Sequence, residues 1–437
     1  MSAALQMALA LGSVAVLLGL MAIVRALAPR WGIGSELQRK IVHIGTGIYA
    51  ILLPWLFPDR WPIYALIAVT LGVMLVLRLP NSGLGSTLHG VKRTSYGDLL
   101  LAVSVGLCLF FAGDQLYLYV LPLAVLTLAD AMAALAGSTY GTRFFTVEEG
   151  EKSVEGSTVF FAVTLLISVI CLMLMTPFAP VNILVLSLMV AAFGTFVEAV
   201  SWRGFDNLFL PMGLLIFLSV HAADPLADLL VLAALFAGGI LLFKRIAPTF
   251  GLTHHAARVY VTAAFLLLAV TAVQNTLFPL GVLAAHVWSR TTAPGEGRLT
   301  DLDVVASLAL VSFGAWTLGD ATGFNAVSFY GMTTMAMMIA LSALALSPAR
   351  VPLRFAGLAA LLTASCALRA GVIALNPESA NWNGPMWPAA LATLALASLL
   401  PSLRPGFFAR RRMTKVTVLA LAVPLPLYLY AMTATGF

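Results

Sequence analysis

Apolar runs long enough to cross a hydrocarbon core of about 30 Å, which takes about 20 helical residues, recur from one end of the chain to the other. We count about sixteen of them, the last closing on Phe437. In a bilayer every backbone N–H and C=O must be satisfied within the span, so the pattern predicts an all-α fold, a polytopic membrane helix bundle of about 16 transmembrane helices. The first run, Ala3 to Ala26, has no Lys/Arg-rich leader and is too long for a signal-peptide core, so it is expected to be a retained helix. The run from Phe278 to Ser289 is short for a crossing, and Arg369 falls inside a span.

The polar positions between the runs set the orientation. Basic residues in short loops stay on the cytoplasmic side. Arg25, Arg30, Arg39 and Lys40 follow the first run; Arg78, Lys92 and Arg93 the third; Arg143 and Lys152 the fifth; Arg203 the seventh; Lys244, Arg245 and Arg258 the ninth. The intervening loops hold few cations, so the N terminus is expected outside. Four polar clusters then share the cytoplasmic face.

Composition agrees with the pattern. The chain is 61% hydrophobic and only 10% charged, against roughly 25% charged in soluble domains, with a mean hydropathy of +1.00. The net charge of +6 is what cytoplasmic loops beside anionic lipid require, and no nucleic acid partner is implied. The three cysteines, Cys108, Cys171 and Cys366, lie in apolar runs without CxxC spacing, so neither a disulfide framework nor a metal cluster is expected. Acid-plus-base loops stop near Arg245, which divides the chain into 1–245, expected to carry the chemistry, and 246–437, additional helices without an assigned role. The segments "LTLADAMAALAGSTYG" (126–141) and "WTLGDATGFNAVSFYG" (316–331) share several letters. A duplication would place Asp130 and Asp320 on one side of the membrane, against the charge pattern, so the likeness is read as coincidence.

The clusters hold the candidate chemistry. In "ELQRKIVHIGTG" (36–47), Arg39 and His43 are four residues apart on one helical face beside Lys40, a cationic socket for a phosphate or headgroup. In "HGVKRTSYGDLL" (89–100), Lys92 and Arg93 precede Asp98, which suits a helix N-terminus. In "LADAMAALAGSTYG", Asp130 lies well inside a span, where an ionised carboxylate is costly without a partner and is a functional candidate by default. Gly137 and Gly141 nearby permit close approach of a helix or of phosphates.

The stretch "GTRFFTVEEGEKSVEGSTVFF" (141–161) carries four glutamates, a lysine and an arginine between two apolar runs. It is expected to be a mobile nucleotide loop in which Lys152 turns to the phosphates and Glu155, one turn on, holds Lys152 or a metal. Ser153 and Gly156 sit at the start of the next helix, an anion-binding position. No Walker motif is present. In "GTFVEAVSWRGFDNLFLP" (194–211), Glu198 is a second intramembrane carboxylate, and Asp206 with Asn207 opens the following helix. Hard oxygen donors of this kind suit Mg²⁺, with Asp130, Asp206 and Asn207 as candidate ligands.

The series "ELQRKIVHI", "DAxAALAGxxYG", "KSVEGS" and "VEAVSxRGFDNLxLP", in order over roughly residues 30 to 220, resembles the membrane-bound CTP-dependent lipid kinases, the dolichol kinase and phytol kinase family related to CDP-diacylglycerol synthases. The resemblance implies transfer of the γ-phosphate of CTP, with Mg²⁺, to a long-chain isoprenoid alcohol in the membrane. The chain departs from the family's usual pattern at Ala129, where Gly is usual, and at Asp98, where Glu is usual. On this basis Asp130, Lys152, Glu155 and Glu198 are the expected catalytic group. Arg39, Lys40, His43, Arg93, Gly137, Gly141, Ser153 and Gly156 are the expected phosphate-binding set. A cytidylyltransferase that attacks the α-phosphorus would use the same CTP, Mg²⁺ and lipid. A transporter would need polar residues through the full depth of the bilayer, which the one-sided clusters do not provide.

Overall fold

A computed structural model of the chain describes residues 2–77, 97–147, 150–297, 300–376 and 386–434. Lys92, Arg93, Glu148 and Glu149 lie outside the described residues. The chain divides into two compact units, Met1–Gly238 and Gly239–Phe437.

The first unit contains α1 (Ala3–Trp31), α2 (Ser35–Leu56), α3 (Trp61–Leu77), α4 (Gly97–Ala112), α5 (Leu116–Tyr140), a hairpin of β1 (Phe144–Val147) and β2 (Gly150–Ser153), α6 (Val154–Met175), α7 (Pro180–Val200) and α8 (Asp206–His221). The helix α9 (Leu226–Ile246) runs through the boundary. The pivot of the unit is α5. Its apolar window is 72% buried where that of α1 is 11% buried, so α5 packs protein on most sides and α1 leaves most of its surface for lipid. Packed on α5 are α2, α6 and α8, while α6 also packs on α7, and α8 on α4 and α7.

Close approach of α5 and α6 depends on glycine. A Cβ on Gly137 would lie 2.7 Å from Ser153 Oγ, and one on Gly156 would lie 2.9 Å from the Ala133 carbonyl. Small residues are what let membrane helices bring their backbones together. The glycines therefore have a packing role that needs no ligand.

Two local features depart from a plain helix bundle. Residues Val125–Ala129 of α5 form a π turn, in which the Asp130 N–H reaches back five residues to the Val125 carbonyl. In the stretch 141–161, expected as a mobile nucleotide loop, the described residues include two antiparallel strands that pair Phe145 with Lys152 and Thr146 with Glu151, followed directly by α6. Strand alternation explains the charge there. Glu151 and Thr146 are exposed, whereas Val147 is buried and Lys152 half-buried. The described fold is thus all-α except for this one ribbon.

The second unit holds α10 (His254–Val270), α11 (Val273–Thr292), α12 (Thr300–Thr322), α13 (Val327–Ala345), α14 (Val351–Leu375), α15 (Trp387–Leu403) and α16 (Arg412–Ala434). Its central helix is α13, packed against α11, α15 and α16. Among the described residues nine helices are long and apolar enough to cross a membrane, and five further apolar helices have 10–17 residues. The helical membrane-type bundle is as expected, with fewer helices of full spanning length than the sixteen crossings counted. The suspected duplication has no structural counterpart: 126–140 lies within one helix, whereas 316–331 runs from the end of α12 through a turn into α13.

Candidate active site

Five elements far apart in sequence bring their ionisable groups together in the first unit. Lys40 on α2 donates to Asp130 Oδ2 on α5 at 2.7 Å. His43, one turn along α2, has Nε2 3.7 Å from the same oxygen and 3.2 Å from the Leu126 carbonyl. Lys152 at the end of β2 donates to Glu198 Oε1 on α7 at 2.8 Å and also to the Glu198 main-chain carbonyl. The Asp206 carboxylate at the start of α8 feels the charges of Asp130, Lys152, Glu198 and Lys40. Asp130 and Lys152 likewise act on each other. The two ion pairs and Asp206 are thus one electrostatic unit.

Each group is where local structure puts it. Asp130 follows the π turn directly, and such turns are frequent at functional sites. Lys152 is held by the ladder to β1 and by the start of α6, where Ser153 accepts from the Gly156 N–H at 3.0 Å and caps the helix. Asp206 follows a turn in which Arg203 and Gly204 both have positive φ, 50° and 80°. Trp202 in that turn is buried against Phe205 and Phe209.

The side chains of Asp130 and Glu198 are only 14% and 13% exposed, and Lys40 7%. Charges this deep persist only when paired. At Lys152 burial works against the ammonium, but the carboxylates of Glu198 and Asp206 outweigh it and hold its pKa above the ordinary 10.5. The amine is therefore a fixed cation. Three carboxylates (Asp130, Glu198, Asp206) face two lysines, Lys40 and Lys152. Among the described residues Asp206 makes no hydrogen bond or ion pair with another side chain, and its oxygens are hard donors of the kind a hard cation takes. No three His, Cys, Asp or Glu side chains among the described residues converge as a ready metal cage.

Several expected site residues sit elsewhere or do another job. Glu155 does not reach Lys152. It accepts from the Thr142 hydroxyl at 2.5 Å and from the Arg143 N–H at 3.2 Å, tying the end of α5 to the start of α6. The interval of one helical turn suggested the wrong partner because Lys152 precedes the helix and lies on a strand. Asn207 gives its side-chain N–H to the Gly97 carbonyl at 2.9 Å, and its own carbonyl accepts from Ser104 at 2.6 Å, so it fastens α8 to α4. Arg39 is exposed on α2 and is not part of the two ion pairs. Gly137, Gly141, Ser153 and Gly156 form the α5–α6 contact beside the centre. Arg93 is outside the described residues.

Sequence reasoning missed Thr127 and Gly47. A Cβ on Gly47 would run into the Thr127 side chain, so α2 meets the π turn through a glycine. The signal available was "HIGTG" itself, two glycines in a span with no turn to explain them.

No family model matches the chain, and no solved structure matches it. Among curated proteins it is similar to the phytol kinase of Synechocystis sp., 33% identical over 215 residues, covering 48% of this chain and 90% of that protein. A likeness that takes in nearly the whole of the relative leads to one conclusion: the chain belongs to the phytol kinase family, a family of membrane lipid-alcohol kinases.

Proposed function

We propose that the chain transfers the γ-phosphoryl group of CTP to the hydroxyl of a long-chain isoprenoid alcohol, of phytol, dolichol or polyprenol type, at the centre formed by Lys40, Asp130, Lys152, Glu198 and Asp206. The observation that carries this is the pairing of a buried lysine, Lys40, and a half-buried one, Lys152, with carboxylates from distant elements in one electrostatic unit. Phosphoryl transfer asks a protein chiefly for position and charge, and this centre offers both.

Asp130 is held by Lys40 through one oxygen, which keeps it ionised and leaves its other oxygen to accept the proton of the attacking alcohol. The alcohol oxygen bonds to the γ-phosphorus as the bridge to the β-phosphate breaks and CDP leaves. Lys152, a permanent cation, exchanges its contact with Glu198 for a phosphate oxygen and meets the charge that develops there. Asp206, with Asn207 adjoining, would hold Mg²⁺, which when bound would neutralise phosphate charge. The apolar faces around α5 admit the alcohol sideways from the membrane, so the hydroxyl reaches carboxylates that water reaches poorly. In our reading the pattern of basic loops puts this centre on the cytoplasmic face, and residues 1–245 carry it.

Purified protein incubated with γ-labelled CTP or ATP against phytol, geranylgeraniol, a polyprenol and diacylglycerol tests donor and acceptor together. Label in an isoprenoid lipid, with CTP the better donor, is expected. Label only in diacylglycerol, or a preference for ATP, would refute the assignment of substrate or donor.

A further inference from the structure

The contact between α2 and α5 is built as a stripe. Lys40, His43, Gly47 and Ala50 are spaced 3, 4 and 3 residues apart, the spacing that keeps one face of a helix against a neighbour. Each meets a different feature of α5: Lys40 the Asp130 carboxylate, His43 the Leu126 carbonyl, Gly47 the Thr127 side chain, and Ala50 the Tyr119 hydroxyl, which donates to its carbonyl at 2.5 Å. Two of the four contacts, those of His43 and Gly47, fall on the π turn.

That turn decides where Asp130 points. An α-helix advances about 100° per residue, and a π turn takes up one residue more than an α turn, so the face of everything beyond it moves by about that angle. With the turn, Asp130 faces Lys40; were the segment to relax to regular α-helix, the carboxylate would rotate off the ion pair. The Leu126 carbonyl accepts, so His43 Nε2 carries the proton that it donates at 3.2 Å. The 3.7 Å between Nε2 and Asp130 Oδ2 is too long for a hydrogen bond. His43 thus bonds the main chain of the turn and not the carboxylate.

We propose that His43 is a positioning residue: its bond to the Leu126 carbonyl, seconded by Thr127 seated on Gly47, holds the π turn and thereby aims Asp130 at the reacting hydroxyl. His43 then neither binds the phosphates nor moves a proton. The inference rests on Asp130 belonging to the phosphotransfer centre.

The test compares His43→Gln, whose amide N–H can reach the same carbonyl, with His43→Leu, which cannot, in purified full-length protein. The turnover number, KM for nucleotide and pH profile from about pH 5.5 to 8.5, which brackets an ordinary histidine, are measured for each. A misplacement of about 1 Å costs up to about 10²-fold. His43→Leu should lower turnover by about tenfold or more at a nucleotide KM within about twofold of wild type. His43→Gln should recover most of the turnover with an unchanged pH profile. If Gln is as poor as Leu and the acid limb disappears, His43 is an acid–base group and the proposal is wrong. If both variants raise nucleotide KM at unchanged turnover, it is a phosphate ligand and the proposal is equally wrong. Should His43→Leu fail to fold, the Gln variant decides alone, because rescue with an intact pH profile is expected only of a positioning bond. Asp130→Asn separates the two levels. Full activity there removes the proposed centre itself, whereas an inactive Asp130→Asn beside a fully active His43→Leu removes only the positioning role.

Discussion

Replacing Lys152 by alanine removes the amine that joins the hairpin to α7. In the resting structure its partner Glu198 is 13% exposed, and Lys152 itself is 26% exposed. Breaking a fully buried pair from one side costs about 3–5 kcal/mol because a charge is left unpaired. Partial access of water to Lys152 reduces that, and about 1–3 kcal/mol of stability is expected to be lost. Activity should suffer more. Loss of one preorganised electrostatic donor lowers turnover by about 10²–10³-fold, and Lys152 is the cation on the strand that borders the centre. The assay is γ-label transfer to phytol by purified protein, run beside thermal unfolding in the same detergent. The double variant Lys152→Ala/Glu198→Ala separates the two effects: without a stranded carboxylate, stability should return toward wild type while turnover stays low. A folded Lys152→Ala protein whose turnover is within about threefold of wild type would refute the assignment of Lys152 to the phosphates.

Lys152 also fixes a pH expectation. Its folded pKa is raised, so the pair's contribution to stability is complete below the unfolded value of 10.5 and fades only as pH rises through the folded value. A pH–stability scan should therefore show no loss from this pair between about pH 6 and 9, and an alkaline fall inside that range that vanishes in Lys152→Ala would contradict it. Gly47→Ala should be poorly tolerated, since its Cβ would enter Thr127; overpacking of about 1–3 kcal/mol should show as a lowered unfolding midpoint together with lost turnover, and an unchanged enzyme would mean that α2 and α5 do not meet as described. Glu155→Gln keeps one amide oxygen that can accept from both Thr142 and the Arg143 N–H, so it should retain most activity where Glu155→Ala does not; equal loss in both would make the charge itself essential. Asp206→Asn should raise the Mg²⁺ concentration needed for half-maximal rate, and chelation should abolish transfer in the wild type; a chelator-resistant enzyme would remove the metal from the account.

What was legible in the sequence was what composition and run length impose. A chain 61% hydrophobic with recurring spans must be a helical membrane protein, and a carboxylate such as Asp130 or Glu198 inside a span had to find a cation. The identity of that cation was not legible. Lys40 and Asp130 are 90 residues apart and Lys152 and Glu198 are 46 apart, and no local period reports such pairings, so spacing along the chain points to the nearer Glu155 for Lys152. The hairpin did leave a trace: "FFTV" is aromatic and β-branched, and "EEG" before "EKS" has the glycine of a turn, but the density of charge pointed to solvent instead. The π turn left none, because Val125 to Ala129 reads as ordinary apolar helix until the position of Lys40 is known.

The account stands most directly on which phosphorus of the nucleotide is attacked. Purified wild-type protein given phytol and Mg²⁺ is incubated in parallel with CTP labelled at the γ- and at the α-phosphate, and the lipid fraction is counted. Label from the γ-position alone in the lipid, with CDP released, is the predicted result. Label from the α-position in the lipid, with pyrophosphate released, would show a cytidylyl transfer and contradict the proposed reaction.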